Sequence, residues 1–209
     1  HDRAIILNDH SQRFDFTCEV HTKAQGGLGS GADVATSVYG GLIKYRLDSH
    51  HRRIVTPVEQ VLPHTWGIWR GGSTSTVKAL KSLKIWRAEH ELEYQRVINK
   101  LTVASRQAIN LLESPMISAE LWCDAVSLGA EAMKDFSSVT GLKAWTKMHD
   151  HWSALVKPLG GVIKSTGAGG DDLTLFCARS IEAEERCLKA LFLDAKERGE
   201  QLVSFQLGI

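Results

Sequence analysis

Little in this chain constrains it from outside its own packing. It has only four prolines and four cysteines in 209 residues. Cys18, Cys123, Cys177 and Cys187 lie far apart with no Cys-x-x-Cys spacing, and each falls in an apolar or helical pattern. That is the usage of reduced thiols in a cytoplasmic protein, not of a disulfide framework. No apolar run approaches the roughly 18–20 residues of a membrane span. The first residues are charged and no apolar segment of a secretory signal follows them. An excess of one charge is missing too. Lys and Arg number 25 against 24 Asp and Glu, a net charge of +1, which gives no reason to expect nucleic acid or an anionic membrane as partner. Internal repeats and low-complexity segments are absent. The hydrophobic content of 43% and charged content of 23% are ordinary for a globular chain of one domain or one and a half.

What the chain does have is glycine in two concentrated places. One is Lys164-Ser165-Thr166-Gly167-Ala168-Gly169-Gly170-Asp171-Asp172. It lies between Gly161-Val162-Ile163 and Leu173-Thr174-Leu175-Phe176-Cys177-Ala178, two apolar runs that read as buried strands. Glycine tolerates positive φ and leaves backbone N–H groups uncovered. A run of such groups makes an anion-binding concavity, with Lys164 and two hydroxyls adding donors on its flank. A plain hairpin turn is the alternative. The other place is Gly26-Gly27-Leu28-Gly29-Ser30-Gly31-Ala32-Asp33-Val34-Ala35-Thr36-Ser37-Val38-Tyr39-Gly40-Gly41. Here a glycine-rich loop delivers one carboxylate, Asp33, into the first turn of a short helix, where the helix dipole favours it. Gly40-Gly41 then stops the helix.

The rest of the pattern is mixed. Residues 1–24 read as helix with a break near Asn8-Asp9-His10, and 25–31 as loop. A helix over 32–39 precedes a strand at 42–47, a polar turn at 48–53, and further strand at 54–55 and 58–62. A domain boundary is expected between Pro57 and Pro63, dividing the chain into 1–60 and 61–209. The second part opens with a strand at 64–70. Gly71-Gly72-Ser73-Thr74-Ser75-Thr76 supplies hydroxyl caps for a helix over 77–83. Helices at 87–113, 117–136 and 141–157 show apolar residues at three-to-four spacing, as in Leu92, Val97, Leu101, Ala104, Ala108 and Leu111. The hairpin around 167–171, a helix from Ile181 to Glu197 and a strand at 202–205 complete it. An α+β assembly follows, a sheet with one helical layer and the order β-α-α-α-β-β-α-β.

Together the two glycine stretches resemble the GHMP kinase family (galactokinase, homoserine kinase, mevalonate kinase, phosphomevalonate kinase). Gly29-Ser30-Gly31-x-Asp33 with Val34-Ala35 and Tyr39-Gly40-Gly41 is similar to that family's catalytic-aspartate segment. Gly167-Ala168-Gly169-Gly170-x-Asp172 is similar to its C-terminal glycine motif, with Asp171 replacing a usual glycine. Ala24-Gln25-Gly26 leading into the first motif has the flavour of phosphomevalonate kinase. The resemblance implies the end of an S5-like N-terminal domain followed by a ferredoxin-like C-terminal domain. It implies ATP and Mg²⁺ as cofactors, with no metal ligand assigned to the protein. It implies a phosphorylated or carboxylated alcohol as substrate, and leaves a homodimer open. Asp33 is then the catalytic residue. Ser30, Gly31, Ser75 and Thr76 are substrate contacts, and Gly167, Ala168, Gly169 and Gly170 bind the ATP phosphates.

Gly27-Leu28-Gly29-Ser30-Gly31-Ala32 also mimics the family's earlier ATP loop, but Asp33 precedes Gly167 by 134 positions, which suits the aspartate segment. The ATP loop and the early lysine are therefore expected upstream of His1, and the chain reads as the later part of a longer kinase. Two other readings stand beside the kinase. One is a mevalonate diphosphate decarboxylase-like enzyme using the same aspartate. The other is a non-catalytic binding module on the same fold.

Other constellations are weaker. His149 and His151 are two apart on a helix and point to different faces, so they do not share an ion; an exposed helix end is expected. His50-His51-Arg52-Arg53 reads as a solvated turn. Trp66 and Ile68 mark the core face of a strand and Trp69 the other. Lys78, Lys81, Lys84 and Arg87 form a solvated stripe.

Overall fold

The computed structural model describes residues 9–24 and 29–208. The expectations for residues 1–8 and for Gln25 to Leu28 lie outside the described residues. The chain divides into two compact units, one ending at Glu59 and one beginning at Gln60.

In the first unit α1 (His10–Ala24) and α2 (Ala32–Tyr39) lie with the hairpin β1 (Leu42–Leu47) and β2 (Arg53–Val58). The strands pair antiparallel, from Leu42 opposite Val58 to Leu47 opposite Arg53. Asp48 makes the turn: its Oδ1 accepts the N–H groups of His50 and Arg52, each at 2.8 Å. Phe14 and Cys18, one helical turn apart, pack with Val34 and Ala35 into a small core that Ile43, Tyr45 and Val55 cover. The strand expected over 58–62 does not extend past Val58. Leu62 is instead a buried contact against Gly208, where a Cβ would stand 2.9 Å from the Leu62 side chain and N.

The second unit is built on a four-stranded antiparallel sheet of β3 (Thr65–Trp69), β4 (Gly161–Ser165), β5 (Thr174–Ala178) and β6 (Val203–Gln206), ordered β4-β5-β3-β6. That is the ferredoxin-like strand order. Between β3 and β4 run α3 (Thr76–Glu89), α4 (Glu91–Leu112), α5 (Ala119–Thr140) and α6 (Lys147–Val156), and α7 (Ile181–Glu197) joins β5 to β6. Four helices thus separate the first two strands, as expected from the four helical segments read between 77 and 157, one more than the abbreviated order counts. Hydroxyl caps start three of the helices: Ser75, Ser118 and Ser180 each accept the N–H three residues on.

The expectation of one helical layer is also corrected. Successive strand residues face opposite sides, yet Phe176, Cys177 and Ala178 are all fully buried. Both faces are therefore covered. On one, α5 packs through Trp122, whose Nε1 donates to Thr65 Oγ1 at 2.9 Å, and through Cys123, 3.4 Å from Cys177. On the other, Trp152 and Val156 of α6 and Ala183, Cys187 and Leu191 of α7 close over Ile68, Ile163 and Phe176. All four cysteines are buried free thiols.

Candidate functional site

The loop before α2 needs glycine twice. Gly29 has φ +105° and Gly31, at the N-cap, φ +83°, a region that strains residues with a Cβ. A Cβ on Gly31 would also lie 3.0 Å from Arg53 Nε and 3.1 Å from Cys18 Sγ. Ser30 is held between them. Its carbonyl accepts from the Tyr45 hydroxyl and, at 3.1 Å, from Arg53 Nε. Its own hydroxyl accepts the Ala32 N–H at 3.2 Å. Burial pushes both the Tyr45 phenol and the Cys18 thiol up, and Arg53 opposes that in each case. Beyond this fixed loop Asp33 projects from the first turn of α2 with its side chain 68% exposed, so a ligand can reach it. His21 Nε2 stands 3.5 Å from Asp33 Oδ2.

Arg53 therefore does not belong to a solvated turn. It is a β2 residue that clamps the aspartate loop, whereas Arg52 bonds back to Asp48. His21, Tyr45 and Arg53 come from α1, β1 and β2, and no local pattern in the sequence links them to Asp33.

In the second unit the glycine turn packs on the turn before α3. A Cβ on Gly72 would meet Asp171 Cβ at 2.6 Å, and one on Gly170 would run into Thr74 Oγ1. This brings the Gly167–Gly170 turn beside the Ser75–Thr76 helix start. Ser75 accepts the Lys78 N–H at 3.4 Å, and Thr76 opens α3. Arg70 ties the turn down through Asp171 Oδ1 at 2.6 Å, reaches Glu200 Oε2 at 3.2 Å, and lies 5.7 Å above the Trp152 ring. Asp172 accepts the Leu173 N–H at 2.9 Å, a turn-forming role.

The four residues of the turn are not equivalent. Gly169 (φ +74°) is buried, with a Cβ position 2.5 Å from Ala144 Cα, and its N–H donates to Thr166 O at 2.8 Å. Gly170 is buried against Thr74. Gly167 is exposed at φ +54° with open space around it. Among the described residues the N–H groups of Gly167 and Ala168 have no protein acceptor. Lys164 does not flank the turn as a free donor: its ammonium donates to Ser165 O at 2.9 Å, and burial lowers its pKa.

Beneath the turn lies a buried imidazole. His149 is 2% exposed, not the exposed helix end that was expected. Its Nδ1 accepts the Thr146 N–H at 3.1 Å, closing a capping box in which histidine takes the place of the usual glutamate. Nε2 lies 3.3 Å from Thr174 Oγ1. Burial first, and the Arg70 guanidinium second, lower the His149 pKa to about 4. Because the unfolded imidazole takes up its proton near pH 6.5, the unfolded state binds more protons between those values. Stability is therefore full above pH 6.5 and falls as the pH drops toward 4, by on the order of 3 kcal/mol. Denaturant titrations across that range should show the slope, and His149→Gln should flatten it. His151 pairs separately with Asp194 at 2.7 Å. Among the described residues no three His, Cys, Asp or Glu side chains form a metal cluster.

The aspartate loop and the glycine turn thus lie on different units, each held by its own contacts. No family model matches the chain, and no curated protein does. Solved structures do. The Lin0012 protein of Listeria innocua superposes with a TM-score of 0.82 at 20% identity, over 96% of this chain and 60% of that one. Phosphomevalonate kinase of Streptococcus pneumoniae, in complex with phosphomevalonate and AMPPNP, gives 0.72 at 16% identity, over 95% of this chain and 62% of that one. Mevalonate kinase of L. major, with R-mevalonate, gives 0.71 at 16% identity, over 97% and 60%. The chain spans about 60% of the length of these structures. It has the fold of the GHMP kinases.

Proposed function

We propose that this chain is the C-terminal portion of an ATP-dependent small-molecule kinase of the GHMP type, cytoplasmic, acting on phosphomevalonate or a related mevalonate-pathway acid. The observation that carries this reading is Asp33: an accessible carboxylate fixed at a helix start by a loop with two positive-φ glycines. Phosphoryl transfer asks little covalent chemistry of a protein. It asks that the acceptor be positioned and that developing charge be neutralised.

In this reading Asp33 accepts the proton of the acceptor oxygen, or orients it. The Ser30–Gly31 loop sets the height of Asp33, because Tyr45 and Arg53 fix the Ser30 carbonyl. Ser30, Gly31, Ser75 and Thr76 are the proposed substrate contacts. ATP, when bound, supplies the phosphoryl group. Gly167 and Ala168 fit a phosphate, since their N–H groups have no protein acceptor and such donors stabilise charge without reorganising. Gly169 and Gly170 serve the same turn from behind, allowing it to pack on Ala144 and Thr74. Among the described residues no three His, Cys, Asp or Glu side chains gather around a metal position; Mg²⁺ would come with the ATP phosphates, as it does where one or two carboxylates and the nucleotide hold it.

The substrate is tested by offering the full-length enzyme mevalonate, phosphomevalonate, homoserine and galactose with ATP and following ADP. Phosphomevalonate should give the highest kcat/KM. A preference for homoserine or galactose would refute the isoprenoid assignment and leave the kinase assignment standing.

A further inference from the structure

Where α5 packs on the sheet, two thiols meet. Cys123 of α5 and Cys177 of β5 stand sulfur to sulfur at 3.4 Å, 54 residues apart in the chain, and both are fully buried. The other two cysteines are placed differently. Cys187 lies on the opposite face of the sheet, its Sγ 3.7 Å from Val156 O. Cys18 packs with Phe14, Val34 and Ala35 in the first unit.

The border of the thiol pair is polar. Arg179, just past the end of β5, reaches across to α5, where its guanidinium pairs with Glu120 at 3.0 Å and with Asp124 at 2.6 Å. Residues three or four apart on a helix are neighbours, so these two carboxylates share the face of α5 that carries Cys123. Both are exposed, and surface ion pairs of this kind contribute little to stability. The pair of sulfurs is thus flanked by side chains that water already reaches.

The two sulfurs are not alike. The hydrogen bond with Cys177 lowers the Cys123 pKa, with help from the Arg179 guanidinium and against the pull of burial, whereas Cys177 is raised. Cys123 ionises first, and the thiolate is the nucleophilic form.

We propose that Cys123 and Cys177 are a modification site for hydrogen peroxide, which converts their contact into a reversible disulfide tying α5 to β5. The Cys123 thiolate attacks the O–O bond and takes one oxygen, becoming a sulfenic acid. The other oxygen leaves as water with the Cys123 proton. The Cys177 sulfur then attacks the sulfenic sulfur, the S–O bond breaks, and the hydroxyl leaves as a second water with the Cys177 proton. Two thiols lose two electrons, and one peroxide becomes two waters. Disulfides that form in a reducing compartment are transient and redox-sensing in this way. This chemistry is independent of the kinase reading.

To test it, the full-length protein is treated with hydrogen peroxide under native conditions. Its remaining thiols are alkylated in denaturant, and it is digested with trypsin without reductant. Mass spectrometry should find the peptide 107–134, which carries Cys123, joined to the peptide 165–179, which carries Cys177, with the loss of two hydrogens. Dithiothreitol should separate them. Cys177→Ala should stop the reaction at a Cys123 sulfenic acid that dimedone traps, and Cys187→Ala should leave the bond unchanged. Recovery of both peptides fully alkylated, a bond from Cys177 to Cys187, or a link that forms only when peroxide is added in denaturant would each overturn the proposal.

Discussion

On the proposed kinase reading, Asp33→Asn in the full-length protein is expected to lower turnover by about 10²–10⁴-fold, the usual contribution of a positioned general base. Asparagine keeps the size and the helix-start geometry of the residue but cannot take a proton. Its stability cost should be small. The Asp33 side chain is 68% exposed, and a carboxylate in a first helical turn contributes about 0.3–1 kcal/mol. The melting temperature should therefore stay within a few degrees of the parent's (roughly 2–4 °C per kcal/mol at this size). Loss of rate with the fold intact separates a chemical role from a structural one. The residue could otherwise be only a helix-start carboxylate. Normal turnover in the variant would return it to that role and move the chemistry elsewhere.

Gly169→Ala should be the most damaging single methyl in the second unit. At φ +74° a Cβ is strained whatever surrounds it, and here it would stand 2.5 Å from Ala144 Cα and 2.6 Å from Ala144 C. Those are backbone atoms and do not swing aside. Overpacking of this kind costs about 1–3 kcal/mol and occasionally more, and the positive φ adds about 1 kcal/mol. A total near 3 kcal/mol lowers the melting temperature by roughly 6–12 °C. Gly167→Ala is the matched control. Its φ is +54° but nothing lies within 4 Å of the added methyl, so only the conformational cost of about 1 kcal/mol applies. Equal losses at the two positions would mean that backbone strain alone, and not packing on Ala144, explains Gly169.

The contrast between those glycines shows what could be read in the sequence. Three glycines in four positions announced a tight turn between two apolar runs, and the hairpin β4–β5 is there. Nothing local told Gly167, which faces open space, from Gly169, which faces Ala144 across 25 residues of chain. The amphipathic helices and the strands at 42–47 and 65–69 were legible because periodicity of 3.6 or 2 is a local property. The second helical layer was not. Which face of a strand is covered depends on distant segments, and only the continuous apolar run Phe176-Cys177-Ala178 hinted at it. His149 failed for the same reason: a polar residue near a helix start reads as exposed until Thr146 and Thr174 are seen to hold it. Likewise Asp33 was visible as a carboxylate after a glycine loop, whereas His21, Tyr45 and Arg53 gather around the loop only through tertiary structure.

The most direct test is product analysis. The full-length protein is incubated with ATP and Mg²⁺ and, in separate samples, with mevalonate, phosphomevalonate or mevalonate diphosphate, and the products are followed by ³¹P NMR with CO₂ trapped in parallel. A new diphosphate ester formed with one equivalent of ADP, and no CO₂, is the predicted result. CO₂ release from the diphosphorylated acid would place Asp33 in a decarboxylase instead. No turnover of ATP with any acceptor would contradict the kinase assignment and leave the fold as a binding module.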